Sequence, residues 1–200
     1  VNASVLDTYR DEGVRAAFWP FGFETPNRPL PAVKRHDVVY LANAYHEWRN
    51  DLYHILRAQP CDVGIYGSGW PQNEGECTYD FTYGEALYRS AKIAVSDNRY
   101  TDARGYLSNR PFQAMAAGCF VLQQYVADLE PLTGFIEDVH YVGFKELGEL
   151  PDLISHWLSD HAQRERIAAR GQRFVMERHS WEARVKQLFD VLLPEVSRVE

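Results

Sequence analysis

The chain is short of the residues that hold metals, disulfides and nucleic acids. Its three cysteines, Cys61, Cys77 and Cys119, are odd in number and lack metal-type spacing, which reads as free thiols in a reducing, cytoplasmic setting. The seven histidines show no HExxH or other paired ligand spacing, and Asp-x-Asp does not occur. No metal site is expected. Basic residues are outnumbered, 21 Lys and Arg against 28 Asp and Glu, for a net charge of −7. A nucleic-acid-binding face needs the opposite balance, so nucleic acid is not an expected partner. No apolar run approaches the ~18 residues of a membrane span, and the opening residues are not patterned as a signal peptide. What is present is core: 46% hydrophobic and 14% aromatic residues in a chain of 200, enough for one domain of ordinary size.

Residues 1–13 read as a short amphipathic segment, with Val5, Leu6 and Tyr9 on one side, and residues 14–19 as a strand closed by Pro20. Pro26, Pro29 and Pro31 mark residues 21–35 as a linker or irregular wrap. This divides the chain into residues 1–36, the tail of a preceding domain with a Pro-rich linker, and residues 37–200, one regular domain. There the pattern repeats. Short apolar runs predict strands over residues 37–42, 62–66, 92–96, 119–122 and 140–144. Between them lie helical patterns: one capped by Asn43 and running to Gln59, one around residues 83–90, one over 111–117 and a turn over 129–135. From Leu150 onward the pattern is helical throughout. Strand, loop, helix and strand recurring at intervals of roughly 20–30 residues predict an α/β fold. The sheet is doubly wound, mostly parallel and Rossmann-like, with helices on both faces and a helical C-terminus. Ligands of such sheets bind beyond the carboxyl ends of the strands, where polar loops should converge on one cleft.

The segment with most chemistry is Ser108-Asn109-Arg110-Pro111-Phe112-Gln113-Ala114-Met115-Ala116-Ala117-Gly118-Cys119-Phe120-Val121-Leu122. Pro111 suits a first helical turn, Ser108 or Asn109 suits its cap, and Gly118 suits its stop. A helix start with free N–H groups and an arginine beside it is an anion site. Arg49 and Arg110 each offer a planar, permanently charged fork to phosphate oxygens. Gly67 and Ser68 permit close backbone approach, Trp70 or Tyr66 offers a face to a base, and Gln113 offers both amide groups to a ribose. Tyr106, with Tyr100 and Arg104, occupies a long loop placed to close over a ligand. Blander readings stand beside these. Arg49 also fits a solvated helix arginine paired with Glu47 or Asp51, Gln113 a surface amide, and residues 67–69 a strand-end turn. His179 and Trp181 fit a helix junction and core anchor.

The order of these parts resembles a known family. The 108–122 segment is similar to the (N/S)-x-R-x-F-E-A-M-A-x-G-x-x-(V/L)-(V/L) stretch of bacterial group 1 glycosyltransferases. Residues 38–49 resemble that family's first donor-domain strand and phosphate loop, in which Asn43 and Arg49 fall. Asp128-Leu129-Glu130-Pro131-Leu132 resembles the D-L-E-x-L/F of the spore-maturation-protein-like branch, and Glu177-Arg178-His179-Ser180-Trp181-Glu182-Ala183-Arg184 its E-x-H-(T/S)-(Y/W)-x-x-R. The resemblance implies the C-terminal, donor-binding half of a GT-B glycosyltransferase of hexosyltransferase type. It would use a nucleotide-diphosphate sugar, UDP- or GDP-linked, as substrate, with no cofactor. Transfer would be retaining and metal-independent, positive side chains and a helix terminus holding the leaving diphosphate. It also implies a missing N-terminal acceptor domain, without which this chain would be inactive. The donor-binding residues so implied are Asn43, Arg49, Gly67, Ser68, Trp70, Tyr106, Ser108, Asn109, Arg110 and Gln113. Where the family often carries two glutamates eight positions apart, this chain has Gly105 and Gln113. That departure supports an alternative, a non-catalytic nucleotide- or glycan-binding module on the same fold.

Overall fold

The computed structural model describes residues 3–23, 29–33, 35–75 and 81–192. Five strands, β1 (His36–Leu41), β2 (Val63–Tyr66), β3 (Ala91–Ser96), β4 (Phe120–Gln124) and β5 (Val142–Phe144), form one sheet in the order β2-β1-β3-β4-β5. Every neighbouring pair is parallel. Such strands are buried on both faces, so they read as continuous apolar runs rather than alternating ones. Val38, Tyr40, Ile65, Ile93, Val95, Phe120 and Leu122 pack into one core, and Val39, Leu41, Ala94 and Val121 into the other.

The helices distribute by the same logic. A short α1 (Leu6–Asp11) precedes the sheet, and α2 (Trp48–Arg57) buries Leu52, Tyr53 and Leu56 in the first core. The helices α3 (Phe81–Ser90), α4 (Arg110–Ala116) and α5 (Leu129–Thr133) lie on the other face, through Leu87, Phe112, Met115 and Leu129. A 3-10 turn (Leu147–Glu149) leads into α6 (Leu150–Ser159), which returns to the first face with Ile154 and Trp157. The long α7 (His161–Arg178) gives Ile167 to the first core and Val175 to the second, and α8 (Trp181–Leu192) follows it. Consecutive connections therefore leave β1 and β3, which are neighbours, toward opposite faces. That is the topological switch point, where the diverging loops open a crevice beyond the strand ends.

Three local expectations change. Residues 14–19 form no strand; they run along α8, where the Trp19 indole N–H donates to the Arg184 carbonyl at 3.1 Å. Asn43 does not cap α2, which begins five residues later after Glu47. Trp181 is no core anchor but is 42% exposed, its ring tilted against that of Trp19 at 6.1 Å, whereas His179 is buried between α7 and α8. The linker expected over residues 21–35 and the loop over 72–80 fall partly outside the described residues, as does Cys77. Cys61 and Cys119 are free thiols. Residues 3–23 lie against the rest of the fold: Phe23 pairs with Ser180 in an isolated parallel bridge, and Ala3 N–H donates to Arg104 O at 2.8 Å.

Candidate functional site

The crevice at the switch point is organised around a residue that sequence reasoning did not single out, Asp97. It follows the last residue of β3 and is fully buried. Its Oδ2 accepts Arg49 Nε at 2.9 Å. Its Oδ1 accepts Arg110 Nη1 at 2.6 Å and the Tyr40 hydroxyl at 2.9 Å. Its carbonyl oxygen accepts Arg110 Nη2 at 2.6 Å. Burial, the largest single influence, pushes the Asp97 carboxyl upward; the Arg110 and Arg49 charges and the bonds from Arg49 and Tyr40 together outweigh it and hold its pKa below the usual carboxylate value. Burial first, and then the Asp97 charge, pushes the Tyr40 phenol well above its ordinary pKa, so it stays a donor.

Two arginines and one carboxylate leave one positive charge over within this cluster, whose arginine side chains are only 13% and 15% exposed. An unbalanced buried cation is costly, and an anion in the crevice would relieve it. The two arginines are not equivalent. Arg110 opens α4 and is almost saturated: beyond Asp97 it bonds the Leu41 carbonyl at 3.3 Å and Ser108 Oγ at 3.2 Å. Arg49 spends Nε on Asp97 and Nη1 on the Asn43 carbonyl at 2.7 Å, and its Nη2 bonds no described residue. The Arg49 guanidinium also lies over the Trp48 ring at 5.0 Å, and His46 stacks on that ring at 6.1 Å. The expected pairing of Arg49 with Glu47 or Asp51 is thus replaced by a partner 48 residues away.

The other predicted residues take mixed positions. Asn43, Gly67 and Ser68 knit the ends of β1 and β2 together. Asn43 Oδ1 accepts the Ser68 N–H at 2.9 Å, and the Ala44 N–H donates to Ser68 O at 3.0 Å. Gly67 has φ +141°, and a Cβ there would collide with the Ala42 carbonyl oxygen, so the close approach it permits is to the residue that follows β1. Trp70 cannot stack on a base: it is 7% exposed, lies flat against Tyr53 at 5.3 Å, and donates its indole N–H to Ala42 O at 2.6 Å. Tyr66 is equally committed, its hydroxyl 2.9 Å from His36 Nε2. Tyr106 meets Tyr100 edge-on at 5.2 Å. Asn109 precedes α4 but makes no side-chain cap bond, and Ser108 does not cap it either, its hydroxyl serving Arg110. With seven residues and Pro111 in its first turn, α4 presents few free N–H groups, and the positive charge at its start comes from Arg110. Gln113 is half-buried, and its amide bonds no described residue.

The loop over residues 97–109 is braced from two sides. The Asn98 N–H donates to Gln124 Oε1 at 3.0 Å, and Asn98 Oδ1 accepts the Ser108 N–H at 3.4 Å. Arg104 bridges Asp7 at 2.9 Å and Asp128 at 2.5 Å. Gly105, where the family's first glutamate would fall, has φ +62°, and a Cβ there would meet Leu132 Cδ1 at 2.6 Å and Phe18 Cζ at 3.1 Å. A side chain there would have to push aside the ends of Leu132 and Phe18, at a backbone angle that favours glycine. Asp97 left a faint signal in the sequence: an acid ending an Ile-Ala-Val-Ser run has to meet a cation, and Arg49 and Arg110 lie in the first turns of the two helices that start at that end of the sheet.

Among the described residues no cluster of His, Cys, Asp and Glu could hold a metal ion, and no helix is long and apolar enough to cross a membrane. A groove of about 830 Å³ lies away from the crevice, between residues 10–19 and Gln187 and Leu188 of α8.

Comparison with solved structures finds the same fold in glycosyltransferases. Anabaena Alr3699/HepE, solved in complex with UDP and glucose, superposes with a TM-score of 0.61 at 16% identity, over 79% of this chain and 48% of that one. Sucrose-phosphate synthase from Thermosynechococcus elongatus gives 0.65 at 16% identity, over 98% and 58%. S. aureus TarM, in complex with Fondaparinux, alpha-GlcNAc-glycerol and UDP, gives 0.66 at 14% identity, over 96% and 42%. The chain therefore spans about half the length of these proteins. No curated protein matches the sequence. A family model described as glycosyl transferase-like matches residues 43–190, from the Asn43 loop through the Asp97 cluster to α8, and the chain belongs to that family.

Proposed function

We propose that this chain is the donor-binding half of a glycosyltransferase, and that the crevice over Asp97 takes the diphosphate of a nucleotide sugar. The observation that carries this reading is the buried cluster of Arg49 and Arg110 on one carboxylate, with a positive charge left over at the switch point of a glycosyl transferase-like fold. In the reaction class, the bond from the sugar's anomeric carbon to the diphosphate oxygen breaks as a bond to the acceptor oxygen forms. The departing diphosphate takes the electron pair, and fixed cations at that point stabilise the transition state without reorganising. Such a cluster supplies the role a metal would otherwise fill, which supports metal-independent transfer. Complexes of HepE and TarM with UDP support a uridine donor, and an N-terminal half for the acceptor belongs to the same proposal. Retention at the anomeric carbon and a hexosyl donor follow from the family resemblance.

Gly105 favours a second reading. With Leu132 and Phe18 occupying the place of an acidic side chain, the site binds nucleotide without transferring sugar. The two readings separate in two steps. Both expect UDP or GDP at millimolar concentration to raise the melting temperature of this chain, and Arg49→Ala to remove the rise. Transfer from a UDP-sugar by the longer protein containing this chain supports the first reading, and binding without transfer supports the second. No shift with either nucleotide would sink both.

A further inference from the structure

A carboxylate at the floor of a diphosphate site is an electrostatic paradox: on charge alone it repels the ligand the site is proposed to hold. The geometry resolves it. Asp97 has no solvent exposure, and each of its side-chain oxygens is filled by donors, Oδ2 by Arg49 and Oδ1 by Arg110 and Tyr40. No oxygen is left to face a ligand. We infer that Asp97 is the positioning residue of the site: it holds Arg110 as a fixed part of the wall and turns Arg49 so that its Nη2 edge is left for phosphate.

Three features support this assignment. Arg49 and Arg110 arrive from different elements, α2 and α4, that pack on opposite faces of the sheet. Among the described residues Asp97, at the end of β3 between them, bonds both. Carboxylate geometry also matters. Its two oxygens accept from separate guanidinium groups at once, which fixes both forks in plane and register. Finally, Asp97 is itself held, since Tyr40 projects from the neighbouring strand β1 to its Oδ1, and its carbonyl takes Arg110 Nη2. A guanidinium with Nε and Nη1 fixed has lost most of its rotamer freedom before a ligand arrives, so less is lost on binding. The inference rests on the donor-site reading above.

The test is the sign of a change in affinity, measured by titrating UDP into the folded 200-residue chain and its variants by calorimetry. Asp97→Asn removes a negative charge while keeping the shape. If charge alone governed the site, UDP would bind more tightly. If Asp97 positions the arginines, the amide nitrogen faces an arginine N–H, donor against donor, one fork is released, and UDP binds about tenfold or more weakly. Tyr40→Phe removes one hydrogen bond to the same oxygen and keeps the charge. It is expected to weaken UDP about 2–5-fold, and it decides the matter if Asp97→Asn does not fold. Arg49→Lys, which keeps the charge but not the fork, should not rescue binding. Tighter or unchanged UDP binding in a folded Asp97→Asn chain, or unchanged binding in Tyr40→Phe, overturns the inference. Absence of UDP and GDP binding by the unaltered chain instead overturns the donor-site reading beneath it.

Discussion

Arg110 and Asp97 are joined twice, Nη1 to the carboxylate at 2.6 Å and Nη2 to the carbonyl of the same residue at 2.6 Å. The side chain that starts α4 is thus pinned to the residue that follows β3 by both arms of one guanidinium. Removing it leaves Asp97 paired with Arg49 and Tyr40 but takes away both of these charge-assisted bonds, which costs about 1.5–3 kcal/mol. Urea denaturation of Arg110→Ala should show a loss of that size. Arg49→Ala leaves Asp97 with Arg110 and Tyr40 and should cost less. An Arg110→Ala chain as stable as the parent would show that the pair does not hold the site together.

Trp70→Phe should lower stability by about 1–2 kcal/mol, through the lost bond to Ala42 O and the smaller ring against Tyr53. It should leave nucleotide affinity unchanged, because Trp70 belongs to the core beneath the loops. A selective loss of UDP affinity at unchanged stability would return Trp70 to the binding surface.

Much of this fold was legible because parallel strands buried on both faces write themselves as short apolar runs. The five predicted strands coincide with β1 to β5 to within a few residues. The segment over residues 14–19 was misread for the same reason in reverse. Its apolar residues imitate a strand, but it pairs with no sheet edge, and Trp19 leans on α8 instead. At the site, the sequence marked the arginines but not what holds them. Arg49 and Asp97 are 48 residues apart, and no local spacing encodes that pairing. The Asn43 cap failed similarly, since its side-chain oxygen is taken by the Ser68 N–H, 25 residues on.

Gly105→Ala places a methyl against Leu132 and Phe18 at a backbone angle of φ +62°, and should cost about 1–3 kcal/mol. Gly105→Glu, which restores the family's acid, should cost more and should not improve binding of a UDP-sugar over UDP. A stable Gly105→Glu chain with enhanced sugar discrimination would contradict the packing argument. Thermal and chemical denaturation with matched titrations decide it.

His179 gives the chain an acid-sensitive step. Burial, chiefly, and then the Arg184 charge depress its pKa to about 3, and it packs 5.1 Å from Phe112 and 5.0 Å from Phe135. The unfolded chain protonates this histidine below about pH 6.5 while the folded chain does not. The contribution to stability is therefore complete above that pH and is lost as pH falls toward about 3, at up to about 1.4 kcal/mol per pH unit. In His179→Gln the slope of stability against pH between about 6 and 4 should fall by about one proton. An unchanged slope would mean that His179 titrates normally in the fold.

The most direct measurement is the crystal structure of this chain grown with UDP. The diphosphate is expected in the crevice between the ends of β1 and β3, with a phosphate oxygen within hydrogen-bond reach of Arg49 Nη2 and with Asp97 still bonded to both arginines. UDP bound elsewhere, such as in the groove between residues 10–19 and α8, or a diphosphate that displaces Asp97 from Arg110, would contradict it.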